Sequence, residues 1–166
     1  MLFRSINYFD TYSPVTRLTT VRILIAMASI HKLIVHQMNV KTTFLNGDLD
    51  EEIYLDQPES FVVQGQESKV CKLRKSLYGL KQAPKNWHEK FDNTLISNGF
   101  VVNEFDRRVY NKFSGDSGVT ICLYVDDMLI LETDMDVIKS TKNILSSNFD
   151  MKDLREADVI LGIKKS

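Results

Sequence analysis

The stretch VTICLYVDDMLIL, residues Val119 to Leu131, decides the fold of this chain. Apolar residues, many of them β-branched or aromatic, run up to Tyr124, and a second apolar run follows the adjacent carboxylates Asp126 and Asp127. This pattern is typical of two strands that are covered on one or both faces. Because burying a lone carboxylate costs several kcal/mol, either the chain turns at these residues or a cation binds there.

The Asp126–Asp127 pair has two interpretations. Mg²⁺ is bound by one or two carboxylates together with waters and substrate phosphates, and a tight hairpin can present such a pair at its tip. Aspartate is also a common turn residue, so a solvent-exposed turn between two edge strands explains the pair without any ligand. The stretch alone favours the plain turn.

Composition predicts one globular domain. The chain has 166 residues, 43% of them hydrophobic, which is enough for a single core. Since it has neither an apolar run long enough to cross a bilayer nor a secretory signal, we expect an intracellular protein, cytoplasmic or nuclear, with no membrane segment. The two cysteines, Cys71 and Cys122, lack zinc-ligand spacing and are predicted to be reduced thiols in the core.

Charge is distributed unevenly along the chain. The formal net charge of −1 argues against a protein that coats nucleic acid by bulk charge. Residues 46–59 nevertheless contain six acidic residues and no basic one, whereas residues 69–90 contain seven basic residues against Glu89 alone. The two segments either attract each other as solvated faces or provide, on the basic side, a track for phosphates. Charge alone favours mutual attraction.

The order of helix and strand signals predicts an α+β fold. Helices are predicted from Thr19 or Thr20 to Ser29, from Pro84 to a stop at Asn98-Gly99, and from Met135 to Ser147 with Thr133 or Asp134 as cap. Trp87, Phe91 and Leu95 repeat at four-residue spacing and are predicted to be core. We expect an antiparallel sheet that carries the Asp-Asp hairpin, with the helices packed on one face.

Five stretches in order carry a family resemblance. They are residues 8–22, HQMNVKTTFLNGDLDEEIY (His36 to Tyr54), SLYGLKQAPKNW (Ser76 to Trp87), LYVDDMLI (Leu123 to Ile130) and residues 151–164. Together they resemble the reverse transcriptase domain of copia-type retrotransposons, a segment of a Gag-Pol polyprotein. The resemblance implies a palm with part of the fingers, RNA-directed DNA polymerase (nucleotidyltransferase) activity, two Mg²⁺ ions, and a primer-template and deoxynucleoside triphosphates as partners.

The resemblance also implies roles for individual residues. Asp126 and Asp127 match the metal-binding carboxylates of the family's Tyr-Val-Asp-Asp hairpin. Further matches are Phe44 to the aromatic gate that excludes a ribose 2′-hydroxyl, Gln82 to the glutamine beside the nucleotide sugar, Lys81 and Lys85 to phosphate contacts on the nucleotide and primer-template, Tyr124 to the primer end, and, more weakly, Lys152 to a phosphate contact.

One departure from the family falls on the chemistry. Residue 39 is asparagine, where the resemblance implies the first metal-binding aspartate. In the family, a primer 3′-hydroxyl attacks the nucleotide α-phosphate in line between two metal ions held by carboxylates from two strands. Because an amide brings no negative charge, the substitution is predicted to lower polymerisation by roughly three orders of magnitude or more.

Other departures concern the chain as a whole. Residues 1–6 stand where the family has a basic first strand of the fingers, so residues 1–166 are expected to form one partial domain, truncated at both ends, without the thumb and ribonuclease H region. Arg155 replaces a family glycine and is strained if that position needs a positive φ. The prediction is an impaired reverse transcriptase domain. Two alternatives stay open: a chain that still polymerises with Asn39 and water sharing the metals, or a non-catalytic nucleic-acid- or protein-binding module that uses the basic segment.

Overall fold

Six antiparallel strands form the central sheet in a computed structural model, which describes residues 16–115 and 117–157 and the backbone of residues 159–160 and 163–164. In spatial order the strands are β4 (Val101–Val102), β5 (Val109–Ser114), β6 (Ser117–Tyr124), β7 (Asp127–Glu132), β1 (Ile34–Val40) and β8 (Met151–Glu156). The predicted α+β class with an antiparallel sheet is confirmed. Residues 1–6, where a fingers strand is predicted to be missing, lie outside the described part.

Two short ribbons accompany the sheet. One pairs β2 (Tyr54–Asp56) with β3 (Val70–Lys72), and the other pairs β9 (Val159–Ile160) with β10 (Ile163–Lys164). Two 3₁₀ helices, Thr43–Asn46 and Glu59–Phe61, lie in the connections. The first of them follows β1 directly and becomes part of the site described below.

The three predicted helices are present as α1 (Leu18–His31), α2 (Ala83–Ser97) and α3 (Met135–Asn148). Asp134 caps α3 as predicted, because its side chain accepts a hydrogen bond from the Asp136 backbone N–H. The predicted cap of α1 by Thr19 or Thr20 is wrong, since the helix begins at Leu18.

A residue distant in sequence satisfies the start of α1. The buried carboxylate of Asp106 accepts from the Arg17 backbone N–H at 3.2 Å and from the Thr20 hydroxyl at 2.8 Å. The orphan donors of a helix start are usually satisfied by the residue just before it. Here Asp106, in a loop beyond α2, satisfies one of them, the Arg17 N–H, and this distant contact is invisible in the local sequence.

Helices cover both faces of the sheet, so the predicted one-sided packing is wrong. Trp87, Phe91 and Leu95 of α2, all fully buried as predicted, join α3 in a cluster against one face. On the other face α1 packs against a second cluster of strand residues, namely Val35, Val109, Cys122, Leu129 and Leu131. The reason lies in the central strands, which are apolar at successive positions rather than at alternate ones and therefore need cover on both sides.

The two cysteines differ in environment. Cys122 is buried on the central strand β6, and that burial raises the pKa of its thiol to about 11. Cys71 is exposed, so its predicted place in the core is wrong. It lies on β3, and every residue of the β2–β3 ribbon is exposed. A short apolar run therefore marks a strand here without marking a buried one.

Arg155 has a left-handed backbone. Its φ is +68°, and the pairing of β1 with β8 shifts register between Gln37 and Met38, opposite this residue. The condition for strain at this position, a positive φ, is thereby met, and we expect arginine to be strained there, since only glycine adopts such a φ without steric cost.

Replacing Arg155 by glycine is expected to raise the free energy of unfolding by about 0.5–1 kcal/mol, because relief of a left-handed residue, about 1–2 kcal/mol, exceeds the extra backbone entropy of glycine. Urea unfolding measures the change. Arg74→Gly is the control, since Arg74 is exposed and has no positive φ. An Arg155→Gly chain no more stable than the unaltered one would show that the bulge carries no strain.

A buried polar group joins α2 to β5. The His88 Nδ1 lies 3.3 Å from a carboxylate oxygen of Asp92, and the hydroxyl of the fully buried Tyr110 donates to Asp92 and lies 3.4 Å from His88 Nε2. Burial lowers the pKa of His88, the charges of Arg108 and Arg107 lower it further, and Asp92 opposes them.

Stability is therefore expected to fall as the pH drops below about 6.5, the ordinary histidine pKa. In that range the unfolded chain binds a proton that folded His88 resists, and one such proton gives a slope of at most about 1.4 kcal/mol per pH unit. Urea midpoints between pH 5 and 8 measure it. His88→Gln should flatten the slope and the exposed His31→Gln should not; equal slopes in all three chains would refute the assignment.

Candidate nucleotidyl-transfer site

The hairpin between β6 and β7 has a two-residue loop, Val125 and Asp126. Tyr124 and Asp127 form the last pair of the ladder. Val125 has a φ of +55°, and a positive φ at the first loop position is a feature of type II′ hairpins, which normally place glycine there. A β-branched residue in this conformation is strained, at a cost of order 1–3 kcal/mol. The hydrogen bond from the Val40 N–H to the Asp126 carbonyl holds this turn in place.

Four of the residues predicted to form the site lie in a row across the sheet. Asn39 of β1 is paired with Asp127 on one side and with Lys152 on the other, and Asp127 is paired in turn with Tyr124. Directly opposed residues in antiparallel strands project from the same face of a sheet. The structure therefore aligns Tyr124, Asp127, Asn39 and Lys152, with a positive charge at one end of the row.

Two amide side chains hold the Asp127 carboxylate. Asn39 Nδ2 and Gln37 Nε2 each donate to Asp127 Oδ1 at 3.2 Å. An ionised carboxylate only accepts hydrogen bonds, so both amides must present their nitrogens to it. Gln37 is a site residue that the sequence interpretation missed, although the two-residue period of a strand places it on the same face as Asn39.

Asp126 is held through its backbone carbonyl, and one oxygen of its side chain is not hydrogen-bonded to any described residue. The Val40 N–H donates to the Asp126 carbonyl at 2.7 Å, which ties the tip of the hairpin to the end of β1. Asp126 Oδ1 is buried and has no hydrogen-bond partner among the described residues. An unsatisfied buried carboxylate oxygen is costly, and such an oxygen commonly marks the place of an ion or ligand.

An aromatic pair lies next to Asp126. Phe44, in the 3₁₀ helix after β1, meets the ring of Tyr78 edge-on, with centroids 4.5 Å apart and planes at 64°. Burial raises the pKa of Tyr78, the nearby Asp126 carboxylate raises it further, and Thr43 opposes them. The structure thus brings Phe44 to the carboxylates through Tyr78, a second residue that the sequence interpretation missed.

The remaining nominated residues lie at the start of α2 rather than on the sheet. Gln82 is the residue before the helix, and its Nε2 donates to Glu51 at 2.7 Å. Lys85, in the first turns, lies 4.0 Å from Glu89. Lys81 precedes them and is exposed.

The acidic and basic segments attract each other at several points. Lys90 pairs with Asp48 at 3.3 Å, and Lys72 pairs with Glu52. Together with the hydrogen bond from Gln82 to Glu51, these contacts connect the acidic loop to the basic segment. They support mutual attraction over a continuous phosphate track.

Comparison with known proteins decides the family. A family model described as reverse transcriptase (RNA-dependent DNA polymerase) matches residues 3–166. The chain belongs to the reverse transcriptase family. The predicted resemblance to the copia-type retrotransposon enzymes is confirmed, because relatives that match nearly the whole chain are retrovirus-related Pol polyproteins of transposons.

The relatives are much longer than this chain. A Pol polyprotein of transposon TNT 1-94 from Nicotiana tabacum is 48% identical over 162 residues, which are 97% of this chain and 12% of the relative. That of transposon RE1 from Arabidopsis thaliana is 38% identical over 96% of this chain and 11% of the relative. A putative transposon Ty5-1 protein from Saccharomyces cerevisiae is 38% identical over 76% of this chain and 41% of the relative. No solved structure matches the chain.

The family implies metal-dependent chemistry, and the residues present can be tested against it. Two adjacent carboxylates and the unsatisfied buried oxygen of Asp126 suit one divalent cation, since Mg²⁺ takes one or two protein carboxylates and completes its shell with water and phosphate. The described residues contain no group of three or more carboxylate, histidine or cysteine ligands. Asp126 and Asp127 therefore fit a metal, but with one carboxylate fewer than the family pattern.

Within residues 16–115 and 117–157 no helix is both long enough and apolar enough to span a bilayer.

Proposed function

We propose that this chain carries the palm and part of the fingers of a reverse transcriptase whose RNA-directed DNA synthesis is impaired by Asn39. The observation that carries the proposal is the hydrogen bond from Asn39 Nδ2 to Asp127. A third carboxylate at this place in the row would leave three negative charges that only a cation could hold together. The Asn39 amide instead donates a hydrogen bond to the Asp127 carboxylate, so that no cation is needed to hold the two side chains together.

The roles of the residues follow from their places around the hairpin. Asp126 and Asp127 would hold Mg²⁺, which, when bound, activates the primer 3′-hydroxyl and stabilises charge on the phosphate. Tyr124, next to Asp127, faces the primer end, and Phe44 limits the space at C2′ of the incoming sugar. Gln82 and Lys81 contact the nucleotide, and Lys85 contacts the primer-template. Lys152, at the end of the row, contacts a phosphate.

Electrostatics explains the expected impairment. At an effective dielectric of about 20, unit charges ~4 Å apart interact by about 4 kcal/mol, and a dication doubles that figure. Even after most of this energy is offset by desolvation, about 4 kcal/mol of lost transition-state stabilisation corresponds to a thousandfold lower rate. Asn39 and water sharing the metals would thus support only slow synthesis.

The alternative of a binding module depends on the basic segment. Two of its lysines, Lys72 and Lys90, are already paired with acidic residues. A surface that binds nucleic acid mainly through phosphates needs cations that are available to it. These pairs therefore weaken the alternative relative to the polymerase.

Primer extension tests the proposal. The purified Asn39→Asp chain, given oligo(dT) on poly(rA), dTTP and Mg²⁺, is expected to extend the primer, because all three carboxylates are then present. Adding Asp126→Asn to that chain should abolish extension. If the folded Asn39→Asp chain, checked by circular dichroism, does not extend the primer, the assignment of this hairpin as a polymerase site fails.

A further inference from the structure

Tyr78 occupies the space between Phe44 and Asp126. Its ring meets that of Phe44 at 4.5 Å, and its hydroxyl lies beside the Asp126 carboxylate and Thr43. Thr43 itself is fully buried and donates to the Val40 carbonyl at 3.1 Å, so the neighbours of the hydroxyl are fixed to the end of β1. One tyrosine thus contacts the aromatic residue of the proposed site and lies near its carboxylate.

The position of Tyr78 is set by its own segment and not by the core. The neighbouring Ser76 backbone N–H donates to the Gly47 carbonyl at 3.3 Å, and Gly79, with a φ of +91°, turns the chain directly after it. Tyr78 remains 61% exposed. Such a side chain contributes little to core packing, yet its ring bears on the face of the site where Phe44 lies.

We propose that Tyr78 is a positioning residue for sugar selection: its ring, packed edge-on against Phe44, holds Phe44 where the 2′-hydroxyl of a ribonucleotide would collide with it. This inference rests on the proposed function, since it assumes that Phe44 faces the sugar. Phe44 is half-buried, packs against the core cluster and lies on a short 3₁₀ helix. The Tyr78 ring is a second contact that limits the displacement of Phe44.

The two parts of the tyrosine have separable effects. Tyr78→Ala removes the ring and leaves Phe44 free to move into the vacated space, so discrimination against ribonucleotides should fall. Tyr78→Phe keeps the ring and loses only the hydroxyl, so most of the discrimination should remain. If Tyr78 had only a structural role, its loss would weaken the binding of both nucleotides equally and leave the ratio of their Kd values unchanged.

Equilibrium binding tests this without catalysis. The Asn39→Asp chain, with a dideoxy-terminated primer, a template guanine and Mg²⁺, is titrated with dCTP and with CTP, which differ only in the 2′-hydroxyl. Tyr78→Ala in this chain is expected to lower the ratio of the CTP Kd to the dCTP Kd about tenfold, the size expected from loss of one aromatic pair. Tyr78→Phe should keep the ratio within about threefold, and Tyr54→Ala, an exposed tyrosine of the β2–β3 ribbon, should leave it unchanged.

The outcomes separate this inference from the proposed function. An unchanged ratio in Tyr78→Ala, with the parent chain still binding dCTP, overturns the inference alone. A fall in Tyr78→Phe as large as that in Tyr78→Ala also overturns it, because the ring would then not be the support. A parent chain that binds neither nucleotide overturns the proposed function and this inference together. Thermal unfolding of each variant establishes that it is folded before its ratio is compared.

Discussion

The Asn39→Asp chain is expected to be less stable than the unaltered chain by about 2 kcal/mol when divalent cations are removed with EDTA, and to recover that stability in Mn²⁺. The substitution removes the hydrogen bond from Asn39 Nδ2 to Asp127 and places a like charge against it. Loss of a hydrogen bond to a charged group costs about 1.5–3 kcal/mol, and repulsion between carboxylates adds to the loss. Asn39 therefore stabilises the metal-free fold.

A divalent cation is expected to reverse this difference in stability between the Asn39→Asp chain and the unaltered chain. Mn²⁺ that binds only the folded chain stabilises it by an amount that grows with the ratio of its concentration to the Kd. A third carboxylate is expected to tighten binding about a hundredfold or more, since even ~3 kcal/mol of the added charge–charge attraction gives that factor. The unaltered chain should gain far less from the same concentration.

Urea unfolding in EDTA and in a Mn²⁺ series measures both effects. Asn143→Asp is the matched control, because Asn143 is an exposed residue of α3, away from the hairpin. It should change the unfolding free energy by no more than about 0.5 kcal/mol and leave the Mn²⁺ response unchanged. An Asn39→Asp chain as stable as the unaltered one in EDTA, with no added response to Mn²⁺, would show that residue 39 does not face the metal position.

Phe91→Ala is expected to lower the free energy of unfolding by about 3–5 kcal/mol, the usual cost of emptying a buried phenylalanine site. The Phe91 ring is fully buried and contacts three other rings, those of Trp87, Tyr110 and Phe149, with centroids 5.4–5.7 Å apart. Because these rings join α2 to the sheet and to the end of α3, the cavity cannot close by a shift of one side chain. A loss of this size is a large part of the roughly 5–15 kcal/mol by which domains are stable.

Phe105→Ala provides the comparison for this core. Phe105 is 88% exposed, so the same chemical change should cost less than about 0.5 kcal/mol. Urea midpoints of the two variants measure the difference. If Phe91→Ala unfolded no more easily than Phe105→Ala, α2 would not be packed as the structure places it.

Local periodicity predicted the parts of the fold that depend on local interactions. The four-residue spacing of Trp87, Phe91 and Leu95 predicted α2 and its buried face, and the cap predicted at Thr133 or Asp134 marked the start of α3. The start of α1 could not be predicted in the same way, because its cap, Asp106, comes from a loop more than 80 residues along the chain. The exposure of Cys71 was likewise invisible, since it depends on what covers the β2–β3 ribbon.

The same distinction between local and distant interactions separates the site residues that the sequence predicted from those that it missed. The resemblance nominated Asp126, Asp127, Asn39, Tyr124 and Lys152, and the register of four strands aligns the last four of them in one row. Gln37 was within reach of the strand period but was overlooked. Tyr78 could not be predicted from a local pattern, because its contact with Phe44 and its proximity to Asp126 bring together three segments that are distant in sequence.

The rate of the first nucleotide addition by the unaltered chain, set against that of the Asn39→Asp chain on the same primer-template, tests most directly whether Asn39 is what disables this site. We expect the Asn39→Asp chain to be faster by about a thousandfold in Mg²⁺. Rates within tenfold of each other, both abolished by Asp126→Asn, would show that the hairpin catalyses synthesis without a carboxylate at position 39 and would contradict the proposed impairment.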